Sequence, residues 1–119
     1  MSEWKVKKGN TSIQDILVKD RDNAIVTNLA TATKIVFQVK EKKQNSKKIE
    51  KTKADGIAVD TPTTGYLRIT LKPSDTAITP KRYVMGLEIT WSANEIYETR
   101  IYIDDNETYD FVIEQDTIQ

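Results

Sequence analysis

Tyr83-Val84-Met85-Gly86-Leu87-Glu88-Ile89-Thr90-Trp91 is the stretch that decides the fold. Large apolar side chains stand at 83, 85, 87, 89 and 91, with Glu88 and Thr90 among the residues between them. A period of two places alternate side chains on opposite faces of an extended strand, whereas a helix asks for spacings of three and four. The same period runs outward in both directions. Ile35, Phe37 and Val39 alternate with Val36, Gln38 and Lys40, and Leu67, Ile69 and Leu71 with Arg68, Thr70 and Lys72. Tyr97, Thr99, Ile101 and Ile103 alternate with Glu98, Arg100 and Tyr102 and read as one strand; Tyr109, Phe111 and Ile113 make a last one. Trp4 to Val6 and Ile13 to Val18 are two further candidates. The second carries Ile16, Leu17 and Val18 in a row, which leaves its phase open and admits a bulge.

Turn chemistry separates these runs. Asp20-Arg21-Asp22-Asn23, Asn94-Glu95 and Asp104-Asp105-Asn106 suit tight connections, because Asp and Asn bond their own backbone and Asn tolerates positive φ. Asp55-Gly56, Thr64-Gly65 and Lys72-Pro73-Ser74-Asp75 mark the other breaks, and Pro73 to Ala77 allows at most one helical turn. Glu41 to Lys53 reads as an exposed hairpin tip whose lysines discourage edge pairing. The expectation is an all-β chain: one immunoglobulin-like antiparallel β-sandwich of about seven to nine short strands, spanning 1–119 as a single domain.

Composition narrows the chemistry. The 119 residues include no cysteine and no histidine, so thiolate metal sites, thiol nucleophiles and Ser-His triads are all excluded. Met1 to Lys8 has no apolar core of an export signal, and no apolar stretch approaches a bilayer span; a soluble chain made in a cytoplasm is expected, with no membrane partner. The 18 basic and 18 acidic residues cancel but are segregated. Lys34 to Lys53 holds eight lysines against Glu41 and Glu50, while Gly86 to Gln119 holds nine acidic residues against Arg100 alone. The plain reading is a solvated basic hairpin and an acidic end. The sharper one is that opposite charges meet between neighbouring copies in a ring or stack. Lys40 to Lys53 has neither arginine nor an aromatic residue, which argues against a nucleic-acid partner.

Other constellations have ordinary explanations beside functional ones. Asp20-x-Asp22 invites calcium, but Ala24 stands where a third ligand belongs and the turn glycine is missing, so a plain turn is preferred. Asp104-Asp105 with Glu107 has the same preferred answer. Carboxylate pairs for glycoside hydrolysis are a matter of spatial separation, to which the sequence is silent. Four glycines form no phosphate-binding loop, and no cofactor is implied. Trp4 and Trp91 with the tyrosines offer a sugar-binding face as one reading, but Trp91, in phase with Met85, Leu87 and Ile89, reads better as core. Trp4 has two roles open to it, capping the sandwich or touching a neighbour.

The order of motifs resembles the N-terminal domain of phage baseplate upper proteins and related immunoglobulin-like phage virion proteins. Lys8-Gly9-Asn10-Thr11 is similar to that family's Lys-Gly-Asp-Thr opening, and Asp20-Arg21-Asp22-Asn23 stands where the family has Asp-x-Asp-Gly. Ala24-Ile25-Val26-x-x-Leu29 resembles the Pro-Ile-Asp-Leu approach to the next strand, and Ile35 to Lys40 matches its Phe-x-Val strand. Gly65 to Leu71, Asp75-Thr76, Tyr83 to Ile89, Thr99 to Ile103 and Phe111 to Ile113 follow in the family's order. Asn10 replaces the usual Asp, Asn23 the Gly, and Pro80-Lys81-Arg82 a glycine turn. Asp75-Thr76-Ala77-Ile78 is also similar to the strand-F approach of antibody variable domains, but Tyr83 lies eight positions after Asp75 and no cysteine follows.

The resemblance implies a non-enzymatic virion structural protein, assembled in the host cytoplasm and built into a baseplate, tail or neck as an adaptor or decoration module. Its partners are then other virion structural proteins and copies of itself in an oligomer or ring. The contact residues expected from the sequence are Trp4, Lys42, Lys43, Lys47, Lys48, Asp104, Asp105 and Glu107. The alternative is a carbohydrate or cell-surface binding sandwich, which requires an exposed aromatic platform. An enzyme is the third reading and has no assembled site behind it.

Overall fold

A computed structural model describes residues 3–41, 47–61, 64–92, 95–104 and 106–115. Among the described residues, eleven strands form two sheets packed face to face. The first sheet runs β1 (Glu3–Lys7), β11 (Asp110–Glu114), β7 (Lys81–Ser92), β3 (Lys34–Lys40), β4 (Lys47–Thr52), with β8 (Glu95–Glu98) paired to the far half of β7. The second runs β10 (Asn106–Glu107), β9 (Arg100–Ile103), β2 (Ser12–Lys19), β6 (Tyr66–Leu71), β5 (Ile57–Thr61). In immunoglobulin terms β2 to β7 and β11 take the places of strands B, C, C′, D, E, F and G. B, E and D share one sheet and G, F, C and C′ the other. All pairings are antiparallel except β1 with β11, which run parallel from Glu3↔Asp110 to Lys7↔Glu114.

The alternation read from the sequence is the core. Ile35, Phe37 and Val39 of β3 and Tyr83, Met85, Leu87 and Ile89 of β7 face Ile16 and Val18 of β2, Leu67, Ile69 and Leu71 of β6 and Ile101 of β9. Trp4 closes one side of this layer. Its ring lies edge-on to Phe111 (5.2 Å) and tilted against Phe37 (5.7 Å), and its Nε1 donates to Ser12 Oγ at 3.0 Å. Tyr83 is buried with its hydroxyl donating to the Thr79 carbonyl at 2.6 Å. This is the bond of a tyrosine corner at the start of strand F, made back to the backbone four residues upstream despite the long spacing from Asp75.

Several expectations are corrected. Tyr97 to Ile103 is not one strand. The chain leaves the first sheet after Glu98 and joins the second at Arg100, with Thr99 as the corner, its N–H bonded to the Leu87 carbonyl at 3.0 Å. The Ile16-Leu17-Val18 run holds no bulge, for β2 pairs with β6 in unbroken register from Ser12↔Leu71 to Leu17↔Tyr66. Leu17 points outward, where its cross-strand partners Tyr66 and Tyr102 leave it only 9% exposed. Glu41 to Lys53 is not all tip, because Lys47–Thr52 is strand β4 with Ile49 and Lys51 buried. The helical turn α1 (Pro73–Thr76) lies within the span read for it, and a 3-10 turn at Leu29–Thr31, which buries Leu29, is a second one outside that expectation.

Lys51 is the one buried cation among the described residues, 3% exposed, and its ammonium sits 2.5 Å from Asp75 of α1. Asp75 also accepts the Lys72 N–H at 2.8 Å, which caps the turn. The lysine stem packs beneath Gly56, where a Cβ would come within 2.8 Å of Lys51 Cδ. One ion pair thus ties the edge strand β4 of the first sheet to the connection that leaves β6 of the second. Removing one partner of such a pair strands the other charge and empties the space of the stem. Lys51→Ala is expected to cost about 2–3 kcal/mol, below the fully buried range because Asp75 is partly exposed, and Lys51→Met, which keeps the stem, roughly 1–2 kcal/mol. Urea unfolding with unchanged slope checks both; equal stability of Lys51→Ala and the parent would disprove the clamp.

Candidate functional site

Following the expected contact residues through the fold separates them. Trp4 fills the interior role and offers no surface, at 3% exposure. Lys42, Lys43 and Asp105 lie outside the described residues. Lys47 and Lys48 are exposed on β4, an edge strand of the first sheet, Lys47 being bonded to Glu50 at 2.9 Å. Asp104 and Glu107 belong to the β9–β10 hairpin on an edge of the second sheet, with Asn106 opposite Ile103 and Asp104 at φ 51°. No ion pair joins the two groups among the described residues, so these positions do not form one site within a chain.

What the fold does assemble is the end of the sandwich between the β2–β3 loop and the β7–β8 hairpin. The loop is built by Asp20. Its Oδ1 accepts the N–H groups of Asp22 (2.9 Å) and Ala24 (3.0 Å), and Asn23 takes φ 64° at the reversal. The Asp20 carboxylate is therefore engaged as a turn former, and among the described residues no three acidic groups gather as a metal site. Strand β9 clamps the loop from one side: Tyr102 Oη donates to Asn23 Oδ1 at 3.0 Å and Arg100 Nη2 to the Arg21 carbonyl at 3.3 Å. Lys19 stacks its ammonium 4.4 Å from the Tyr102 ring centroid, a cation–π contact that holds that tyrosine in place. Ile25 lies against Gly65, whose φ of +79° and lack of a Cβ are both needed, since a Cβ there would stand 2.5 Å from Ile25 Cγ2.

Trp91 completes this end. The register of β7 against β8 slips between Thr90↔Ile96 and Ser92↔Glu95, so Trp91 is the extra residue of a bulge. The bulge turns its ring out of the core layer to its margin. There it packs at 6.0 Å and 56° against Tyr97, and its Nε1 donates to the Asn28 carbonyl at 3.1 Å. Ile25, Trp91 and Tyr97 wall a cleft of about 520 Å³ with Asp22 and Glu95 among its lining. The period of two continues through Trp91 and favours the core, against which the ring does pack, but only in part. Only the bulge breaks that phase, and nothing in the residue pattern marks it. Chemically this end offers two aromatic rings, a branched aliphatic side chain and carboxylates on a fixed frame. That is equipment for binding.

Tyr109 and Glu107 form a second local feature, the phenol donating to the Glu107 carboxylate at 2.6 Å. Burial first, and then this hydrogen bond, push the Tyr109 hydroxyl well above the usual phenol range; burial also raises Tyr83.

No protein-family model matches the chain, and no curated protein matches it.

A phenol whose folded pKa lies above its unfolded value of 10.0 keeps its proton after the unfolded chain has lost it. Stability from Tyr109 and Tyr83 is therefore complete below pH 10 and falls as pH rises from there through their folded values. Urea midpoints should drop between pH 10 and 11.5, and the phenolate absorbance of the folded chain should stay short of all five tyrosines until unfolding. Tyr109→Phe should shallow the decline; full titration of five phenols in the folded state near pH 10 would disprove it.

Proposed function

We propose that this chain is a non-enzymatic structural module of a phage virion, an adaptor or decoration piece of baseplate, tail or neck, that works through protein–protein contacts. The observation that carries this reading is the loop end. Ile25, Trp91 and Tyr97 project from a frame fixed by the Asp20 turn, the Tyr102 and Arg100 clamps and the Gly65 approach. Apolar groups held rigid at a surface lose little entropy on docking, and such residues dominate binding at interfaces. Outward-facing apolar groups continue on the second sheet, where Tyr102, Leu17 and Tyr66 stand side by side across three strands with Ile13 more than half exposed.

The ordered motifs of the resemblance lend further support, because two of them meet in space. The Gly9 N–H donates to the Thr76 carbonyl at 3.2 Å, and the Thr76 hydroxyl donates to the Asn10 carbonyl at 2.8 Å. The Lys8-to-Thr11 opening and the Asp75-Thr76 turn are thus two sides of one joint, which gives a physical reason for their appearing together. Quantitative mass spectrometry of purified particles of the encoding phage tests the reading. A fixed stoichiometric ratio to the tail and capsid proteins is expected, with Tyr97→Ala lowering incorporation; clean absence from particles overturns it.

A second reading, carbohydrate or cell-surface binding, is favoured by the same aromatic pair, since ring faces beside carboxylates suit sugar C–H and hydroxyl groups. The two tryptophans make it easy to separate. Trp4 is sealed, so collisional quenching and any ligand response should come from Trp91 alone. Emission that shifts with cell-wall glycans in the parent and not in Trp91→Phe would favour this second reading, and an unresponsive Trp91 would remove it.

A further inference from the structure

The outer face of the first sheet carries two like-charge pairs that oppose each other in sign. Glu88 of β7 and Glu98 of β8 are direct cross-strand partners, both exposed. Lys40 of β3 and Lys47 of β4 are also direct cross-strand partners, both exposed. Like charges placed opposite each other weaken a sheet, so each pair is unfavourable within its own chain. The remaining outward carboxylates around this sheet are matched. Glu3 pairs with Lys5 and Arg82, Asp110 with Arg82, Glu114 with Lys7, Glu41 with Lys81, and Glu50 with Lys47. Among the described residues Glu88, Glu98 and Lys40 enter no ion pair.

The acidic and basic pairs do not satisfy each other within one chain. Lys40 lies opposite Val84, four residues along β7 from Glu88. At about 3.3 Å per residue that is roughly 13 Å along the strand, beyond the reach of a direct contact. Between the pairs runs a groove of about 440 Å³ floored by Val36, Val84 and Gly86 and flanked by Tyr109. Gly86 is what opens it, since a Cβ there would meet nothing closer than the Glu98 carboxylate at 3.9 Å. Ile96, 52% exposed, stands on the same face at the acidic end.

We propose that this face is a self-association surface: two copies pack first sheet to first sheet about a two-fold axis, each setting its Lys40–Lys47 pair against the other's Glu88–Glu98 pair. A face with one basic and one acidic half is its own complement, because the operation that brings Lys40 over the partner's Glu88 also brings Glu88 under the partner's Lys40. The arrangement turns two repulsive pairs into an attractive set of four, while Val36, Val84, Tyr109 and Ile96 supply apolar contact between them. Lys47 then shares its ammonium between Glu50 of its own chain and the partner's acidic pair. The interface uses the face of β8 opposite to Tyr97, and Glu98 borders both this groove and the Trp91–Tyr97 cleft.

Sedimentation equilibrium of the full chain tests this at low and at about 0.5 M salt. A dimer is expected at low salt, weakened at high salt where surface charges are screened. The double variants Glu88→Lys with Glu98→Lys, and Lys40→Glu with Lys47→Glu, should each be folded by circular dichroism and monomeric. Mixed in equal amounts they should form a one-to-one heterodimer, because one then carries an all-basic face and the other an all-acidic one. Ile96→Arg, at an exposed position outside the core cluster, should also weaken the parent dimer at least tenfold. A parent that stays monomeric at low salt and high concentration, or a mixture that does not associate, overturns the proposal. Those results leave incorporation into particles to be judged by mass spectrometry on its own.

Discussion

The structure depends on one strand changing partners. β7 is twelve residues long, and along one side it pairs first with β11 and then with β8. Between the two partners its backbone is met by residues that belong to neither strand. The Met85 N–H donates to the Tyr109 carbonyl at 2.9 Å, and the Leu87 carbonyl accepts the Thr99 N–H. Because buried backbone groups need partners, the chain from Glu98 to Tyr109 has to pass close to this gap while crossing between sheets. That crossing creates β9 and β10, extends the second sheet past β2, and brings Tyr102 and Arg100 to the loop they clamp. It also opens the first sheet's outer face around Gly86. Both surfaces proposed for binding follow from the same exchange of partners.

The fold class was legible because burial in a two-layer sandwich enforces a period of two, and the strands that carry the core obey it over five or more residues. What escaped was each place where one residue breaks the phase. Thr99 continues the alternation of Tyr97 and Ile101, so the change of sheet at that residue leaves no trace in the pattern. Trp91 continues the alternation of β7 and is carried to the margin of the core by a bulge. β4 was hidden for the opposite reason: its inward positions are Ile49 and Lys51, and a lysine facing the core reads as solvent-exposed until Asp75, twenty-four residues away, is known to be its partner. The site suffered most, since an interaction surface is defined by neighbours across strands, and register is a long-range property. Lys47 was found as a charge; its place opposite Lys40 was not.

The charge segregation along the chain acquires a structural meaning once the strand order is known. The lysine-rich stretch supplies β3 and β4, and the start of the acidic stretch supplies the second half of β7 and β8. These are neighbours in the first sheet, so a gradient in sequence becomes a gradient across one face. Mixed surface charges usually settle their pairs locally, as Glu3 and Arg82 do here. Leaving Glu88 and Glu98 opposite each other forgoes that local settlement, although a Thr or Lys at either position would suit an isolated sheet better. A cost carried by an exposed pair with no role in the core is best accounted for by something outside the chain. The same logic applies to Ile13 and Ile96, whose side chains stay more than half exposed while standing in well-formed strands. Rigid strands fix where those side chains point, and that is the property a repeating assembly asks of its parts: each copy must present the same groups at the same spacing without paying again for their order.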